Sequence, residues 1–438
     1  MGKRFLISLL LVVVIAAAVT LSATLIFSGR YDTLSEKQSQ EASSESALPD
    51  TFPVQSPVPT PEATAADSSQ EPDSSGESAG PQFSAPTVGE NAAASILETM
   101  TLEEKICQML FVTPETLTGY GRVNQSGDAT RQALSQYPVG GVIYFSDNLE
   151  SVDQTTAMID GIQAYSNELT GRGLFIGVDE EGGSVARAAD KLGTTAFEDM
   201  RVYGEAGDTQ KAYEIGSALA ADLKSLGFNV DFAPVADVLT NPDSTLLSDR
   251  SFGSDPELVA SMVSQEVRGL TEGGVLCAPK HFPGHGSVGS DTHDGFAATD
   301  RTLEQLQDCD LLPFRSAIDA GAPMIMVGHM TMTAIDSENP ASLSREIVTG
   351  ILRAQLGYDG IVITDAMNMG AIADSYTSGE AAVKAFAAGC DMVLCISDLA
   401  GTVAAVTAAV ADGTLSQDAI DQSVTRILNA KLQYGIIS

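Results

Sequence analysis

Eight apolar segments of strand length recur along this chain with helical segments between them, and this alternation constrains the fold more than any other feature. The apolar segments are Gln108–Val112, Gly141–Phe145, Leu174–Asp179, Val230–Val235, Val275–His281, Pro323–His329, Gly360–Asp365 and Met392–Ser397. The helical segments include Gln210–Leu226, Pro256–Glu272, Leu303–Ala320 and Gly379–Ala388. Continuous apolar strands that alternate with helices indicate a parallel sheet covered by those helices. The sequence therefore predicts an α/β protein with a single (β/α)8 barrel of the TIM type.

A doubly wound open sheet is the alternative architecture for the same alternation. Such a sheet normally carries a Gly-rich phosphate-binding turn after its first strand. No such turn follows the segment Gln108–Val112, where the sequence continues as Thr-Pro-Glu-Thr. The barrel is therefore the favoured prediction.

The N-terminal residues 1–30 are predicted to be a signal or transmembrane anchor. An uncharged run of 23 residues, Phe5–Phe27, follows Lys3 and Arg4. As a helix the run would extend roughly 35 Å, enough to cross a hydrocarbon core of ~30 Å. Its length favours an uncleaved anchor over a cleaved signal peptide, although small residues near Ala16–Ala23 leave cleavage open. The basic flank predicts that the N-terminus stays inside, so the rest of the chain is expected at the cell membrane in an extracytoplasmic position, or secreted after cleavage.

Residues 31–92 are predicted to form a disordered linker, because this segment is rich in Ser, Pro and Glu and poor in large apolar side chains. The remaining residues, 93–438, are assigned to the barrel domain.

The charge of the chain excludes one class of partner. Lys and Arg number 23 against 58 Asp and Glu, a formal net charge of −35. A chain this acidic repels phosphate backbones, so no nucleic-acid partner is expected. The five Cys include no Cys-x-x-Cys pair, which argues against a disulfide scaffold and a thiolate zinc site.

Polar residues follow several of the apolar segments at the point where each predicted strand ends. They are Asp179-Glu180-Glu181, Lys280-His281, His329 and Asp365. In a barrel the carboxyl ends of the strands share one face, where active sites are built. The four histidines of the chain, His281, His285, His293 and His329, all fall in the region of strands five and six. The sequence therefore predicts an active site at that face.

Some of these residues also have plainer explanations. Asp365 is equally suited to capping the helix that follows it. A Lys at position 280 is costly inside an apolar barrel unless it meets an anion. The i,i+4 spacing of His281 and His285 suggests zinc on a helix, but Pro283 and Gly284 between them would break that helix.

The strand-end motifs together resemble glycoside hydrolase family 3, and most closely its β-N-acetylglucosaminidase branch, which trims peptidoglycan. The matching strings are VDEEGGSVAR (178–187), DRSFGSDP (249–256), KHFPGHG (280–286), DTH (291–293) and ITDAMNMGAI (363–372). The sequence departs from the family pattern at Glu180, where Gln is usual, and at Ser287-Val288, where Asp-Thr is usual.

The resemblance implies roles for individual residues. Asp365 is implied to be the catalytic nucleophile, with His293 as general acid/base assisted by Asp291. The positions implied to bind the sugar are Asp179, Arg187, Arg250, Lys280, His281 and His329. A carboxylate beside an imidazole raises its basicity, which suits Asp291 and His293 to acid/base work. No metal or organic cofactor is implied.

The motifs and the family resemblance are compatible with three functions. The first is a retaining exo-β-N-acetylglucosaminidase that acts on cell-wall carbohydrate or muropeptide fragments. The second is a different glycosidase of the same type, either a β-glucosidase or an enzyme that uses phosphate in place of water. The third is a non-catalytic wall-binding protein on the same barrel. The sequence favours the first, and the oligomeric state is left open.

Overall fold

The computed structural model describes residues 87–437 except residue 245 and residues 290–296. The predicted anchor over residues 1–30 and most of the predicted linker over residues 31–92 lie outside the described residues, as do Asp291 and His293. Across the described ranges, every helix is too short or too polar to cross a membrane.

Eight parallel strands form a nearly closed barrel, as the apolar segments predicted. The strands are β1 (Leu110–Val112), β2 (Gly141–Ile143), β3 (Phe175–Val178), β4 (Val230–Asp231), β5 (Leu276–Cys277), β6 (Met324–Val327), β7 (Ile361–Ala366) and β8 (Met392–Leu394). Their order in the sheet is β5-β4-β3-β2-β1-β8-β7-β6, which leaves a seam between β5 and β6.

The residues that follow β5 close this seam. The Phe282 N–H donates to the Met326 carbonyl oxygen at 2.8 Å, and the Met326 N–H donates to the Pro279 carbonyl oxygen at 3.1 Å. Two active-site candidates, Lys280 and His281, therefore belong to the segment that joins the two edges of the sheet.

Aromatic rings fill the barrel interior, and glycines in the strands make room for them. The rings of Phe111 and Phe232 meet edge to face with centroids 5.3 Å apart. A Cβ atom on Gly177 would lie 2.8 Å from both rings, and one on Gly141 would lie 2.8 Å from Phe111. These glycines are explained by packing against the rings, which lets the sheet curl tightly around a solid core.

Helices cover the outside of the barrel. They comprise Thr87–Glu98, Leu102–Gln108, Pro114–Thr118, Asp128–Gln136, Val152–Thr170, Arg187–Leu192, Met200–Ala206, Thr209–Leu226, Pro256–Glu272, Leu303–Gln305, Leu311–Asp319, Gly370–Ala373, Ser378–Ala388, Leu399–Ala411 and Gln417–Gln433, with wider π-helical turns at Leu306–Asp310 and Glu346–Gln355 and 3-10 turns at Ser146–Asn148 and Ala341–Leu343. The predicted helix Leu303–Ala320 is thus interrupted by a π-helical turn. That turn ends at the fully buried Asp310, whose carboxylate meets the Arg301 guanidinium at 2.7 Å.

The first and last helices of the described residues pack against each other. Helix Thr87–Glu98 packs against the C-terminal helix Gln417–Gln433. Ser416 caps that C-terminal helix, because its hydroxyl accepts the Ala419 N–H at 3.1 Å. Two short ribbons lie outside the barrel, Glu180–Gly182 with Val185–Ala186 and Ala298–Thr299 with Thr331–Met332. The first of them follows β3 directly, at the end of the barrel where the candidate site residues lie.

Candidate active site

A cavity of about 560 Å³ opens at the carboxyl ends of the strands. Its wall is formed by residues from the ends of several strands and the loops that follow them: Ile143, Phe145, Asp179, Glu181, Val185, Arg187, Leu246, Arg250, Lys280, His281, His285, Met326, Asp365, Ala366, Asn368, Met369, Gly370 and Leu394. This is the face at which barrel enzymes build their active sites.

Asp365 lies within β7 and faces this cavity. It does not cap the following helix, which spans Gly370–Ala373 and has Met369 at its N-cap position. One carboxylate oxygen of Asp365 instead accepts the N–H of Ala366 at 2.7 Å. The helix-cap explanation is therefore wrong, and the carboxylate is held at the cavity wall.

The surroundings of Asp365 favour its charged form. Burial raises the pKa of its carboxyl, but the charges of His281, His329 and Lys280 and the Ala366 N–H outweigh burial and hold the pKa below its usual value. Asp365 is therefore an unprotonated carboxylate at neutral pH, which is the state a nucleophile requires.

Lys280 joins two carboxylates at the base of the cavity. Its ammonium lies 2.9 Å from Asp179 Oδ1 and 2.6 Å from Glu181 Oε1, and the residue is 3% exposed. Burial lowers the pKa of Lys280, but the two carboxylates outweigh burial and raise it. The cost of burying the lysine is thus offset by the carboxylates of Asp179 and Glu181, as expected for a lysine inside an apolar barrel.

Arg250 completes this charge cluster. Its guanidinium binds Glu181 with two parallel hydrogen bonds, both 2.7 Å long. Burial raises the pKa of the Glu181 carboxyl, yet Lys280 and Arg250 outweigh it and hold the pKa far below the usual range. A bidentate pair of this kind fixes both side chains in one orientation. Glu181 therefore serves as the anchor that aims Arg250 and Lys280 into the cavity.

Arg187 lies near the second carboxylate oxygen of Asp179, the one that Lys280 does not contact. Its Nε is 3.6 Å from Asp179 Oδ2, and its guanidinium lies 5.5 Å from the centroid of the Phe145 ring. A guanidinium over an aromatic face is held by cation–π attraction. Arg187 thus projects into the cavity between a carboxylate and a ring.

Glu180, where the sequence departs from the family pattern, does not line the cavity. Its carboxylate accepts the N–H groups of Ala188 at 2.6 Å and Ala189 at 3.0 Å. Both groups belong to the first turn of helix Arg187–Leu192, where an acidic cap is favourable. Burial outweighs these hydrogen bonds and raises the pKa of Glu180 to about 7. The side chain therefore supports the helix that carries Arg187.

Asp237 organises the two histidines of the KHFPGHG segment. Its Oδ2 lies 2.7 Å from His281 Nδ1, and its Oδ1 accepts the backbone N–H groups of His281 at 3.2 Å and His285 at 2.6 Å. A carboxylate on Nδ1 fixes the tautomer of His281 and leaves its Nε2 for the cavity. Asp237 is itself fully buried, so it acts through His281.

His329 lies one layer deeper than the cavity wall and is fully buried. Its Nε2 is 3.0 Å from the Ala366 carbonyl oxygen and its Nδ1 is 2.8 Å from the Ser342 hydroxyl. Because a carbonyl oxygen only accepts, Nε2 carries a proton, whereas the Ser342 hydroxyl is able either to donate to Nδ1 or to accept from it. In this position His329 fixes the backbone next to Asp365.

The structure brings together Asp365, Asp179, Arg187, Arg250, Lys280 and His281 around one cavity. Sequence reasoning assigned no role to Glu181 or His285, although both were noted, and it did not mark Asp237; all three contribute to the same site. The rule that polar residues follow strands points to Glu181 and, at two residues beyond Val235, to Asp237. Within the described ranges, no cluster of His, Cys, Asp or Glu is arranged to hold a metal ion.

Comparison with known proteins gives one consistent family. The glycosyl hydrolase family 3 N terminal domain matches residues 101–430. A beta-hexosaminidase of Chromobacterium violaceum is 40% identical over 273 residues, covering 61% of this chain and 74% of that protein. Beta-hexosaminidase LpqI of Mycobacterium tuberculosis is 33% identical over 349 residues, covering 77% of this chain and 84% of that protein.

Solved structures agree. A glycoside hydrolase family 3 beta-N-acetylglucosaminidase from Paenibacillus superposes with a TM-score of 0.73 at 35% identity, covering 77% of this chain and 63% of that one. Some relatives are much longer than this chain. Beta-hexosaminidase A of Pseudoalteromonas piscicida is 33% identical over 325 residues, which cover 68% of this chain but only 54% of that protein. The family match nevertheless includes the whole barrel and every charged group placed around Asp365, and on these grounds the chain belongs to glycosyl hydrolase family 3.

Proposed function

We propose that this chain is a retaining β-N-acetylhexosaminidase that releases terminal β-linked N-acetylglucosamine through a covalent glycosyl-enzyme at Asp365. The observation that carries the proposal is the Asp365 carboxylate, which faces the cavity at the end of β7 and whose pKa is held below its usual value by neighbouring cationic groups. The names of its relatives, which are beta-hexosaminidases, support a hexosamine substrate, and the beta-N-acetylglucosaminidase among the similar structures supports N-acetylglucosamine.

In the first step a carboxylate oxygen of Asp365 attacks the anomeric carbon while the bond to the leaving oxygen breaks. The leaving oxygen takes a proton from a general acid. In the second step water attacks the same carbon, the acid residue removes a proton from that water, and Asp365 departs as the carboxylate. Two displacements at one carbon retain its configuration.

The general acid is proposed to be His293, paired with Asp291. The family resemblance implies this assignment, and the described carboxyls of the cavity have other partners. A general acid needs a pKa near the working pH. Glu181 has a pKa far below the usual range, and Asp179 is engaged by the Lys280 ammonium at 2.9 Å. Neither carboxyl is therefore proposed as the proton donor, and the family resemblance implies that His293, in the loop after the KHFPGHG segment, has this role.

The charge cluster is proposed to hold the sugar. Asp179, Arg187, Arg250, Lys280 and His281 present acceptors and donors from fixed positions. Such preorganised groups bind sugar hydroxyls and the N-acetyl group without reorganising during the reaction. Because the ion pairs are already formed, the substrate enters a site whose side chains are aimed before it binds.

The substrate is proposed to be a cell-wall fragment, and the barrel is proposed to work outside the membrane. The apolar run Phe5–Phe27 and the Ser/Pro/Glu-rich segment after it support a tethered, extracytoplasmic position. A polymer or muropeptide present outside the cell would reach the cavity directly in that position.

The test is hydrolysis of 4-nitrophenyl N-acetyl-β-glucosaminide by the full chain, compared with its Asp365→Asn variant. We expect the variant to lose at least about 10³-fold in kcat because the nucleophile is gone. Asp359→Asn is the matched control, since the Asp359 side chain is 87% exposed and its ion pair among the described residues is with Arg426.

Product stereochemistry tests the retaining mechanism. Proton magnetic resonance of the reaction mixture should show the β-anomer of the free sugar first. An Asp365→Asn variant that hydrolyses the glycoside at the parent rate would refute the nucleophile, and an α-anomer formed first would refute retention. Faster cleavage of the corresponding glucoside would refute the assigned sugar.

A further inference from the structure

His285 is a buried histidine at the cavity wall whose ring makes no hydrogen bond to any described residue. The residue is 2% exposed and lines the cavity together with Asp365 and Lys280. Neither Nδ1 nor Nε2 of its ring has a hydrogen-bond partner among the residues that the structure describes. A buried polar group without a partner is costly, so such groups are rare in folded proteins.

The backbone around His285 is held in place. The His285 N–H donates to Asp237 Oδ1 at 2.6 Å, and the next carbonyl, that of Gly286, accepts the N–H groups of Thr240 and Asn241 at 3.1 and 2.9 Å. A Cβ atom on Gly286 would lie 1.9 Å from the Val238 carbonyl oxygen, so the chain packs closely at this point. The position of the His285 ring is therefore fixed by the fold.

The His285 ring also lies close to the other groups of the site. Its centroid is 5.8 Å from that of His281, in an edge-to-face arrangement. His281 has its Nδ1 engaged by Asp237, whereas both nitrogens of His285 are left for a molecule in the cavity. Burial and the charge of His281 lower the pKa of His285, so the neutral ring, with one donor and one acceptor, is the form present.

We infer that His285 is a substrate-binding residue, which donates one hydrogen bond to and accepts one from polar groups of the sugar held at Asp365. The inference rests on the proposed function and adds to it a residue that fixes the orientation of the sugar. A buried ring that lacks a hydrogen-bond partner among the described residues is costly to the fold, and the bound sugar would supply partners for it. Binding sites commonly carry this exchange of stability for recognition.

Two substitutions of His285 separate binding from structure. His285→Phe keeps a ring of similar size and removes both nitrogens. We expect kcat/KM for 4-nitrophenyl N-acetyl-β-glucosaminide to fall about 10- to 100-fold, as when a buried hydrogen-bond partner of the substrate is lost. The melting temperature of the full chain should stay equal or rise, because an unpaired polar group has been removed. His285→Asn, which keeps a donor and an acceptor, should recover part of the lost activity.

Ser287→Ala is the matched control in the same loop. The Ser287 hydroxyl donates to Thr299 Oγ1 at 3.3 Å, and Ser287 does not line the cavity. We expect its kcat/KM to stay within about twofold of the parent, as for a substitution away from the substrate. A His285→Phe variant that keeps the parent kcat/KM, or that loses activity only together with a lowered melting temperature, overturns the inference.

Failure of the proposed function gives a different result. A folded parent chain that does not cleave the glycoside refutes the assigned activity. His285 is then judged by calorimetric titration of parent and His285→Phe with N-acetylglucosamine. Weaker binding by the variant supports the inference, whereas equal binding, or no binding by either, overturns it.

Discussion

Replacing Lys431 by Met should stabilise the protein and remove part of its pH dependence. The Lys431 ammonium is fully buried, donates to Gln108 Oε1 at 2.8 Å and lies 5.0 Å from the centroid of the Phe175 ring. Burial and the positive charge of Arg172 lower the pKa of Lys431 from 10.5 to about 7. No carboxylate pairs with Lys431 among the described residues, so the charge is compensated only by an amide oxygen and a ring.

The magnitude follows from the change in pKa. One pKa unit corresponds to 1.36 kcal/mol, so at pH 7 the buried lysine costs about 4 kcal/mol relative to pH values above 10.5. Between pH 7 and 10.5 the unfolded chain binds more protons than the folded chain at this residue, so its contribution to stability rises with pH. Met fills a similar volume without charge but leaves Gln108 Oε1 unpaired, at a cost of about 1–3 kcal/mol. The net gain expected at pH 7 is about 1–3 kcal/mol, the difference between these two estimates.

The assay is urea unfolding of the full chain, followed by circular dichroism at several pH values from 7 to 10. The difference in unfolding free energy between Lys431→Met and the parent should be largest at pH 7 and should shrink as the pH rises. Lys211→Met is the matched control, because the Lys211 side chain is 43% exposed and its ion pair in the described part of the chain is with Glu214. A difference between Lys431→Met and the parent that does not change with pH would refute the reasoning.

Two further predictions concern other buried charged groups, Glu266 and Arg250. Glu266 is buried with neither carboxyl oxygen bonded to any described group, and burial and the nearby charge of Glu181 raise its pKa to about 8. Between pH 4.5 and about 8 the Glu266 carboxyl is protonated in the folded state but ionised in the unfolded state, so its contribution to stability falls as the pH rises. Glu266→Gln should make the urea midpoint less dependent on pH between pH 5 and 8. A variant whose midpoint changes with pH as much as that of the parent would contradict this prediction. Arg250→Lys keeps the positive charge but loses the bidentate contact to Glu181, so kcat/KM for 4-nitrophenyl N-acetyl-β-glucosaminide should fall about 10-fold or more. A variant with the kcat/KM of the parent would contradict this prediction.

The barrel was predictable because the alternation of an apolar strand segment with a helical segment repeats along the sequence. Seven of the eight predicted apolar segments contain a whole strand, and the eighth, Gly360–Asp365, contains all of β7 except Ala366. Helix Pro256–Glu272 has the predicted bounds, and Asp255 caps it ahead of Pro256. The π-helical turn at Leu306–Asp310 was not predicted, since an apolar periodicity does not show where a helix widens to bury one charged residue.

The site was predictable only in part. Asp365, Asp179 and Lys280 stand at strand ends, where local order along the chain already marks them. Asp237 acts through groups 44 and 48 residues away, His281 and His285, and this pairing exists only once β4 and β5 are adjacent. The unpaired state of the His285 ring is likewise a property of the packed site.

The segment Pro279–Phe282 has a second task besides carrying Lys280 and His281. The eight-stranded sheet has β5 and β6 at its two ends, and this segment joins them through backbone hydrogen bonds to Met326. Without it the sheet would present two open edges, which are templates for pairing with other chains. The same four residues therefore close the sheet and carry two side chains that line the cavity. A substitution that distorts this segment is expected to expose the barrel to aggregation as well as to disable the site.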